Sequence, residues 1–176
     1  MNNDPVPEGK RAKILLVDDR EENLLALEAI LSSLDQELVR AHSGDEALKR
    51  LLTDDFAVIL LDVQMPGMDG FETAQRIKQR ERNRQTPIIF LTALDRESKH
   101  AFRGYAVGAA DYITKPFDPW LLRSKVSVFV ELFNARQAVL NSSPQRRGIQ
   151  LVRQARDLCE DDKVRRMLDQ AIDELE

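Results

Sequence analysis

Residues 58–70 decide the fold of this chain, and they read Val58-Ile59-Leu60-Leu61-Asp62-Val63-Gln64-Met65-Pro66-Gly67-Met68-Asp69-Gly70. The four apolar residues at the start show no alternation, which is the pattern of a strand buried on both faces in a parallel sheet. Asp62 follows where such a strand reaches the surface. Because open α/β sheets bind ligands outside the carboxyl ends of their strands, this carboxylate is better placed for chemistry than for stability.

Length and composition predict one domain with an appendage. The chain has 176 residues, whereas typical domains have about 100–150. Its residues are 43% hydrophobic and 32% charged, with a formal net charge of −4 and a sequence pI near 5.4. This balance provides no broad basic surface, so nucleic-acid binding through bulk charge is not expected.

The cysteine content and the N-terminal residues indicate the cellular compartment. The single cysteine, Cys159, excludes an intramolecular disulfide and any multi-cysteine metal site, which fits a reducing environment. Residues 1–11 are polar and predict a disordered tail that resembles neither a signal peptide nor a membrane anchor. No apolar run approaches the roughly 20 residues that span a bilayer. We therefore expect a soluble, cytoplasmic protein.

Strands and helices alternate along the first 134 residues. Apolar runs predict strands at 13–17, 37–41, 58–61, 87–91 and 111–114, and helical spacing predicts helices at 21–34, from 43, at about 71–79, at 96–107 and from 118. Five such units predict an α/β fold, a flavodoxin-like, doubly wound parallel sheet in the order 2-1-3-4-5. In that order the ends of strands 1 and 3 are neighbours, so Asp18, Asp19 and Asp62 meet.

The converging side chains suggest phosphoryl chemistry. Three carboxylates at one sheet edge repel one another unless a cation lies among them, and oxygen ligands with room for water suit Mg²⁺. Asp62 could then attack a phosphorus centre as a carboxylate nucleophile. Lys115, after strand 5, would neutralise phosphoryl oxygens, and the hydroxyl of Thr92, after strand 4, could donate a hydrogen bond to one of them.

Each of these residues taken alone has a simpler interpretation. Asp18 and Asp19 are typical helix-capping acids. Thr92 is an ordinary turn residue, and Lys115 before a proline is an ordinary solvated lysine. The occurrence of all of them, in order, at successive strand ends favours the phosphoryl site.

This combination resembles the receiver domain of two-component response regulators, from about Lys13 to Phe133. The resemblance implies that Asp18 and Asp19 are the acidic Mg²⁺ pair and that Asp62 is the phosphoacceptor. It also implies that the backbone carbonyl of Gln64 completes the metal shell, and that Thr92 and Lys115 contact the phosphoryl group. In this family the Lys-Pro peptide after strand 5 is commonly cis, which the sequence alone leaves open.

The resemblance further implies a switch, a phosphodonor and a limited chemistry. Phosphorylation draws Thr92 toward the phosphoryl group, Tyr112 turns into the vacated space, and the surface formed by the helix at 96–107, strand 5 and the following helix changes. The simpler alternative for Tyr112 is a half-buried strand tyrosine. A histidine kinase or a histidine phosphotransfer protein would be the donor. The domain would catalyse only its own phosphorylation and dephosphorylation, and so would not be an enzyme on other substrates.

The residues beyond the predicted domain form a helical extension. We predict a receiver domain at 12–134 and an extension at 135–176, with breaks at 141–144 and 160–162 between helices. Residues 141–176 contain seven Lys/Arg and eight Asp/Glu, so no DNA-reading face is expected. Short helices need a packing partner in water. We expect homodimerisation through the last receiver helix and this extension, or docking of an unknown downstream protein; the alternative is a mostly disordered tail.

Other interpretations stay open at this point. One is a stand-alone phosphorelay shuttle, which would pass the phosphoryl group onward without the extension. Another is a Mg²⁺-dependent aspartyl-phosphate phosphatase, although such enzymes place the nucleophile after strand 1 in an Asp-x-Asp motif that Asp18-Asp19-Arg20 does not match. His42 and His100 lack neighbouring ligand residues and are expected at the surface, and Cys159 is expected to be a small apolar contact residue.

Overall fold

The structure is a computed structural model that describes residues 11–93, 108–141, 144–157 and 162–173. The chain divides into two compact units, Met1–Leu132 and Phe133–Glu176. The N-terminal tail, the helix expected at 96–107 and the residues His100 and Cys159 lie outside the described ranges. The boundary expected near residue 134 stays a prediction.

A five-stranded parallel sheet forms the centre of the first unit. Its strands are β1 (Lys13–Val17), β2 (Glu37–Ala41), β3 (Val58–Asp62), β4 (Ile88–Thr92) and β5 (Asp111–Thr114). The order β2-β1-β3-β4-β5 and the parallel pairing of every neighbouring pair confirm the predicted doubly wound fold. β4 starts and ends one residue later than its apolar run suggested, so that Thr92 is the last residue of the strand.

Four helices of the described chain follow these strands, and each begins at a capping residue or an acidic turn. They are α1 (Glu21–Leu31), α2 (Gly44–Thr53), α3 (Gly70–Gln79) and α4 (Pro119–Asn141). α1 ends earlier than predicted because residues Ser32–Leu34 form a 3-10 turn. Ser43 caps α2 by accepting from the Glu46 amide, and the Glu46 carboxylate accepts from the amide of His42, one residue earlier than in the usual capping box.

The core lies on both faces of the central strands. Every residue of β3 and β4 is buried, and the last four of β1 are fully buried. Burial on both faces is what a continuous apolar run without alternation predicts. The sheet is therefore a rigid platform whose carboxyl edge holds side chains in fixed positions.

The connection between α3 and β4 closes the C-terminal end of α2. The last carbonyls of a helix have no partner within the helix and need donors from elsewhere. Here the side chains of Asn83 and Arg82 donate to the carbonyl oxygens of Leu51 and Leu52, at 3.3 and 2.8 Å. The side chain of Arg80 donates to the carbonyl of Leu48, about one turn earlier in the helix, at 3.0 Å. The polar run after α3 is thus a helix-capping segment rather than a plain loop.

The second unit contains two further helices after the end of α4. They are α5 (Pro144–Asp157) and α6 (Asp162–Asp173), they contact each other, and Arg156 of α5 lies 3.3 Å from Asp169 of α6. The predicted C-terminal helical region is confirmed. In the part of the chain that the structure describes, no helix is both long and apolar enough to cross a membrane.

Candidate functional site

Three carboxylates meet at the carboxyl edge of the sheet. Asp18 follows β1 and Asp62 ends β3, and the register that pairs Val17 with Leu61 makes the two aspartates neighbours. One carboxylate oxygen each of Asp18, Asp19 and Asp62 lies within 4.8 Å of the others. Asp18 is fully buried and Asp62 is 5% exposed, whereas Asp19 faces solvent. An oxygen-only cluster with one open side could hold a metal ion.

Lys115 bridges the two buried carboxylates. Its Nζ donates to Asp62 Oδ1 at 2.8 Å and to Asp18 Oδ2 at 2.9 Å, and it lies 5.9 Å from the centre of the Phe117 ring. The Lys115 amide donates to the carbonyl of Thr92 at 2.7 Å, and the Lys115–Pro116 peptide is cis. Lys115, which the sequence placed at the end of strand 5, therefore forms ion pairs with two carboxylates of the acidic cluster.

The titration of this cluster is perturbed by burial and by its own charges. Burial raises the pKa of Asp62, the ammonium of Lys115 opposes that rise only in part, and the charges of Asp18 and Asp19 add to it. Burial alone would lower the pKa of Lys115. Hydrogen bonds and charges from Asp62 and Asp18 outweigh burial and raise that pKa, so Lys115 stays cationic beside the carboxylates.

Asn23 completes the set of donors around Asp18, and sequence reasoning missed it. Its amide Nδ2 lies 2.9 Å from Asp18 Oδ1 and 3.0 Å from Oδ2, and the backbone amide of Arg20 donates to Oδ1 at 3.0 Å. With Lys115 these donors fix the orientation of a buried carboxylate. The available signal was an amide side chain five residues after Asp18, in the first turn of α1.

Gly70 is the second residue whose role the sequence did not disclose. A Cβ at this position would lie 2.2 Å from the carbonyl oxygen of Asp62 and 2.8 Å from the Cα of Val63. The Gly70 amide also donates to the carbonyl of Val63 at 3.0 Å. Backbone meets backbone here without room for a side chain, so glycine is required to bring the start of α3 against the end of β3.

Thr92 and Tyr112 lie on β4 and β5, the two strands that follow β3 in the sheet. Thr92 ends β4, is 8% exposed, and pairs in register with Thr114 of β5. Tyr112 is 7% exposed, and its ring stacks on Phe90 with centroids 5.3 Å apart and planes 30° apart. Tyr112 therefore occupies a buried position in this structure rather than a half-buried one.

The remaining predicted residues lie at the rim. Gln64 is exposed in the loop after β3. His42, with a side chain 49% exposed, lies 3.0 Å from Glu21 and 3.4 Å from Glu46. The hydrogen bond with Glu21 is the main reason that the pKa of His42 is raised. His42 is thus an exposed residue that is paired with the carboxylates of Glu21 and Glu46.

Comparison with known proteins gives one consistent family. The model of the response regulator receiver domain matches residues 14–127. Response regulator PleD of Caulobacter vibrioides (strain NA1000 / CB15N) is 41% identical over 115 residues, which are 65% of this chain and 25% of PleD. The alkaline phosphatase synthesis transcriptional regulatory protein PhoP of Bacillus subtilis (strain 168) is 36% identical over 118 residues, 67% of this chain and 48% of PhoP.

Solved structures lead to the same family. The chemotaxis protein CheY4 of Vibrio cholerae superposes with a TM-score of 0.64 at 33% identity, covering 68% of this chain and 98% of CheY4. A putative response regulator from Chloroflexus aurantiacus J-10-fl also gives a TM-score of 0.64 at 33% identity, covering 69% of this chain and 99% of that structure. The chain spans between a quarter and about half of the curated relatives above. It belongs to the response regulator receiver domain family.

Proposed function

We propose that this protein is a phosphorylation-dependent switch that accepts a phosphoryl group on Asp62 from a histidine kinase or a histidine phosphotransfer protein. The observation that carries the proposal is the position of Asp62. It ends a buried strand, lies in a cluster with two further carboxylates, and has a lysine ammonium 2.8 Å from one of its oxygens. Receiver family membership supports the same role. The cytoplasmic location expected from the sequence is part of this proposal.

In the proposed step a carboxylate oxygen of Asp62 forms a bond to the phosphorus of a phosphohistidine. The bond from phosphorus to the imidazole nitrogen breaks, its electron pair stays on the imidazole, and that ring takes up a proton from solvent. Lys115 would move its hydrogen bond from the carboxylate toward a phosphoryl oxygen, and the Thr92 hydroxyl would donate to another. The product is an acyl phosphate on this chain, with no second substrate consumed.

The acidic cluster fits Mg²⁺ in its donor chemistry. All three side-chain donors are carboxylate oxygens, the ligand type that Mg²⁺ takes, and the exposure of Asp19 leaves the cluster open to water. Asp18, Asp19, Asp62 and the backbone carbonyl of Gln64 would hold the ion. When bound, Mg²⁺ would neutralise negative charge on the phosphoryl oxygens.

The output of the switch is a change in protein contacts. A phosphoryl group on Asp62 would draw the Thr92 hydroxyl toward it, and the ring of Tyr112, which is buried and stacked on Phe90, would turn into the space that Thr92 leaves. Tyr112 and Lys115 lie on or directly after β5, and α4 begins at Pro119. We propose that the altered surface controls homodimerisation through α4 and the helical extension, or the docking of a downstream protein.

The test is phosphorylation of the full chain by acetyl phosphate, followed by separation of the phosphorylated form on a phosphate-affinity gel. The wild type should be modified in the presence of Mg²⁺ and not in excess EDTA, and Asp62→Asn should abolish the modification. The modified form should be cleaved by hydroxylamine, which attacks acyl phosphates and spares phosphate esters.

A matched control is Asp45→Asn, which removes an exposed aspartate from the first turn of α2 and should leave modification unchanged. Equal modification of wild type and Asp62→Asn would refute the assignment of Asp62. Modification that persists in EDTA would refute the metal-dependent step.

A further inference from the structure

Helix α4 carries two apolar faces. Leu122, Val126 and Val130 are buried at 0%, 0% and 7% exposure, and their spacing of four places them on one side of the helix. Val128 and Leu132 belong to the same helix but are 52% and 61% exposed. An amphipathic helix that only covers its own domain has a polar outer face. The apolar outer face of α4 is therefore suited to a further packing contact.

The exposed apolar residues continue along the helix at regular spacing. Val128, Leu132, Ala135 and Val139, here called the seam, are spaced by four, three and four residues. At 3.6 residues per turn they fall within about 60° of the helix circumference, about 150° from the buried stripe. Val139 is 70% exposed and Ala135 is exposed as well. This four-three alternation is the pattern by which two helices pack in a coiled coil.

A lysine ends the apolar seam on its N-terminal side. The same spacing would next include Lys125, but its ammonium is paired with the carboxylate of Asp111 on β5. Leu121, at 38% exposure, takes up the pattern one turn earlier. The continuous apolar part therefore covers the second half of α4, from Val128 to Val139.

The charged residues that flank the seam indicate what kind of helix binds to it. Glu131 precedes Leu132 on one side, Arg136 follows Ala135 on the other, and both are exposed. In a parallel pair of identical helices, the residue directly before Leu132 faces the residue five positions later on the partner helix. Glu131 of each copy would then face Arg136 of the other. An antiparallel pair would place like charges opposite one another.

We propose that the seam binds a second copy of this chain as a parallel, in-register pair of α4 helices. The arrangement is isologous, because one two-fold axis along the helices matches Leu132 and Val139 with their own counterparts. It deepens the dimerisation included in the proposed function, for which it supplies the residues, the direction and the register. It does not require Asp62 to be phosphorylated, so the two proposals can fail separately.

The first experiment is sedimentation equilibrium of the full chain with and without beryllofluoride and Mg²⁺, for wild type, Leu132→Glu and Leu52→Glu. The two leucines are matched, with exposures of 61% and 60%, but Leu52 lies on α2. We expect a dimer of wild type and Leu52→Glu in at least one of the two states. In Leu132→Glu the dissociation constant should rise at least tenfold while circular dichroism stays that of the folded chain.

A second experiment tests direction and register. Glu131→Arg and Arg136→Glu should each weaken the dimer, and the double variant should restore it, because the swap reverses both members of each pair. Val139→Cys in a Cys159→Ser background should form an intermolecular disulfide, since a parallel, in-register pair brings the two Cα atoms within the roughly 7 Å that a disulfide spans.

The outcomes separate the possible occupants. A wild type that is monomeric in both states overturns the proposal and leaves the seam to another segment or a different protein. A dimer that Leu132→Glu leaves intact also overturns it, because the interface is then elsewhere. Modification of Leu132→Glu by acetyl phosphate at the wild-type rate, together with loss of the dimer, supports the seam and the receiver function independently.

Discussion

Replacing Asn23 with alanine tests whether the orientation of Asp18 is part of the site. The substitution removes the side-chain amide that lies 2.9 and 3.0 Å from the two oxygens of Asp18 and leaves the donors from Arg20 and Lys115 in place. A hydrogen bond to a charged group contributes about 1.5–3 kcal/mol. Asn23 is half-buried, so water can partly replace its amide, and we expect a loss near the lower limit.

The same loss should be visible in metal binding. About 1.4 kcal/mol corresponds to a factor of ten in an equilibrium constant, and a residue that orients a metal ligand typically changes affinity by about 10–100-fold. We therefore expect Asn23→Ala to weaken Mg²⁺ binding about tenfold in isothermal titration calorimetry and to lower the free energy of unfolding in urea by about 1.5 kcal/mol. The control is Glu22→Ala, an exposed residue in the same turn.

The pattern of the two measurements decides the interpretation. If Asn23 acts through Asp18, the higher Mg²⁺ requirement should also appear as a higher concentration for half-maximal phosphorylation by acetyl phosphate, with a near-normal rate at saturating Mg²⁺. A variant that loses stability but binds Mg²⁺ like the wild type would refute the reasoning. Asn23 would then be only a helix-stabilising residue of α1.

Three further perturbations test separate parts of the structure. Gly70→Ala should cost about 1–3 kcal/mol in urea unfolding because its Cβ meets backbone at 2.2 Å, whereas Gly148→Ala, with nothing within 4 Å, should not destabilise. Lys115→Met should lower the free energy of unfolding by about 3 kcal/mol, because two buried carboxylates then face each other without a cation. Excess Mg²⁺ should recover part of this loss, and equal losses with and without Mg²⁺ would contradict the prediction. The hydrogen bond with Glu21 raises the pKa of His42 above its usual 6.5, so the stabilisation that protonated His42 contributes should be present below pH 6.5 and lost as the pH rises through the raised pKa. The free energies of unfolding of wild type and His42→Gln in urea should therefore differ most at acidic pH and converge as the pH rises.

The fold could be predicted from the sequence because each level of pattern agreed with the others. The runs that form β1, β3 and β4 are apolar without alternation, and all three are buried on both faces. Between them, helical spacing and capping residues such as Ser43 mark where each helix begins. Boundaries were less well determined, because the ends of α1 and β4 depend on a 3-10 turn and on strand pairing, which are not local properties.

The site could be predicted only in part, for a physical reason. Side chains at strand ends are placed by topology, so Asp18, Asp62 and Lys115 could be brought together once the strand order was known. Asn23 reaches Asp18 by a side-chain rotamer within a helix. The closeness of Gly70 to Asp62 arises from the path of a loop. Neither a rotamer nor a loop path leaves a periodic pattern in a sequence.

The two apolar faces of helix α4 also could not be predicted from the sequence. In the sequence its apolar residues read as one continuous set, because residues from two faces of a helix alternate along the chain. Only the exposures divide them into Leu122, Val126 and Val130 on one side and Val128 and Leu132 on the other. The buried set holds α4 on the domain that contains Asp62. The exposed set lies on the same helix, which begins four residues after Lys115, so the contacts that hold α4 on its own domain and the residues of the proposed interface are carried by one element.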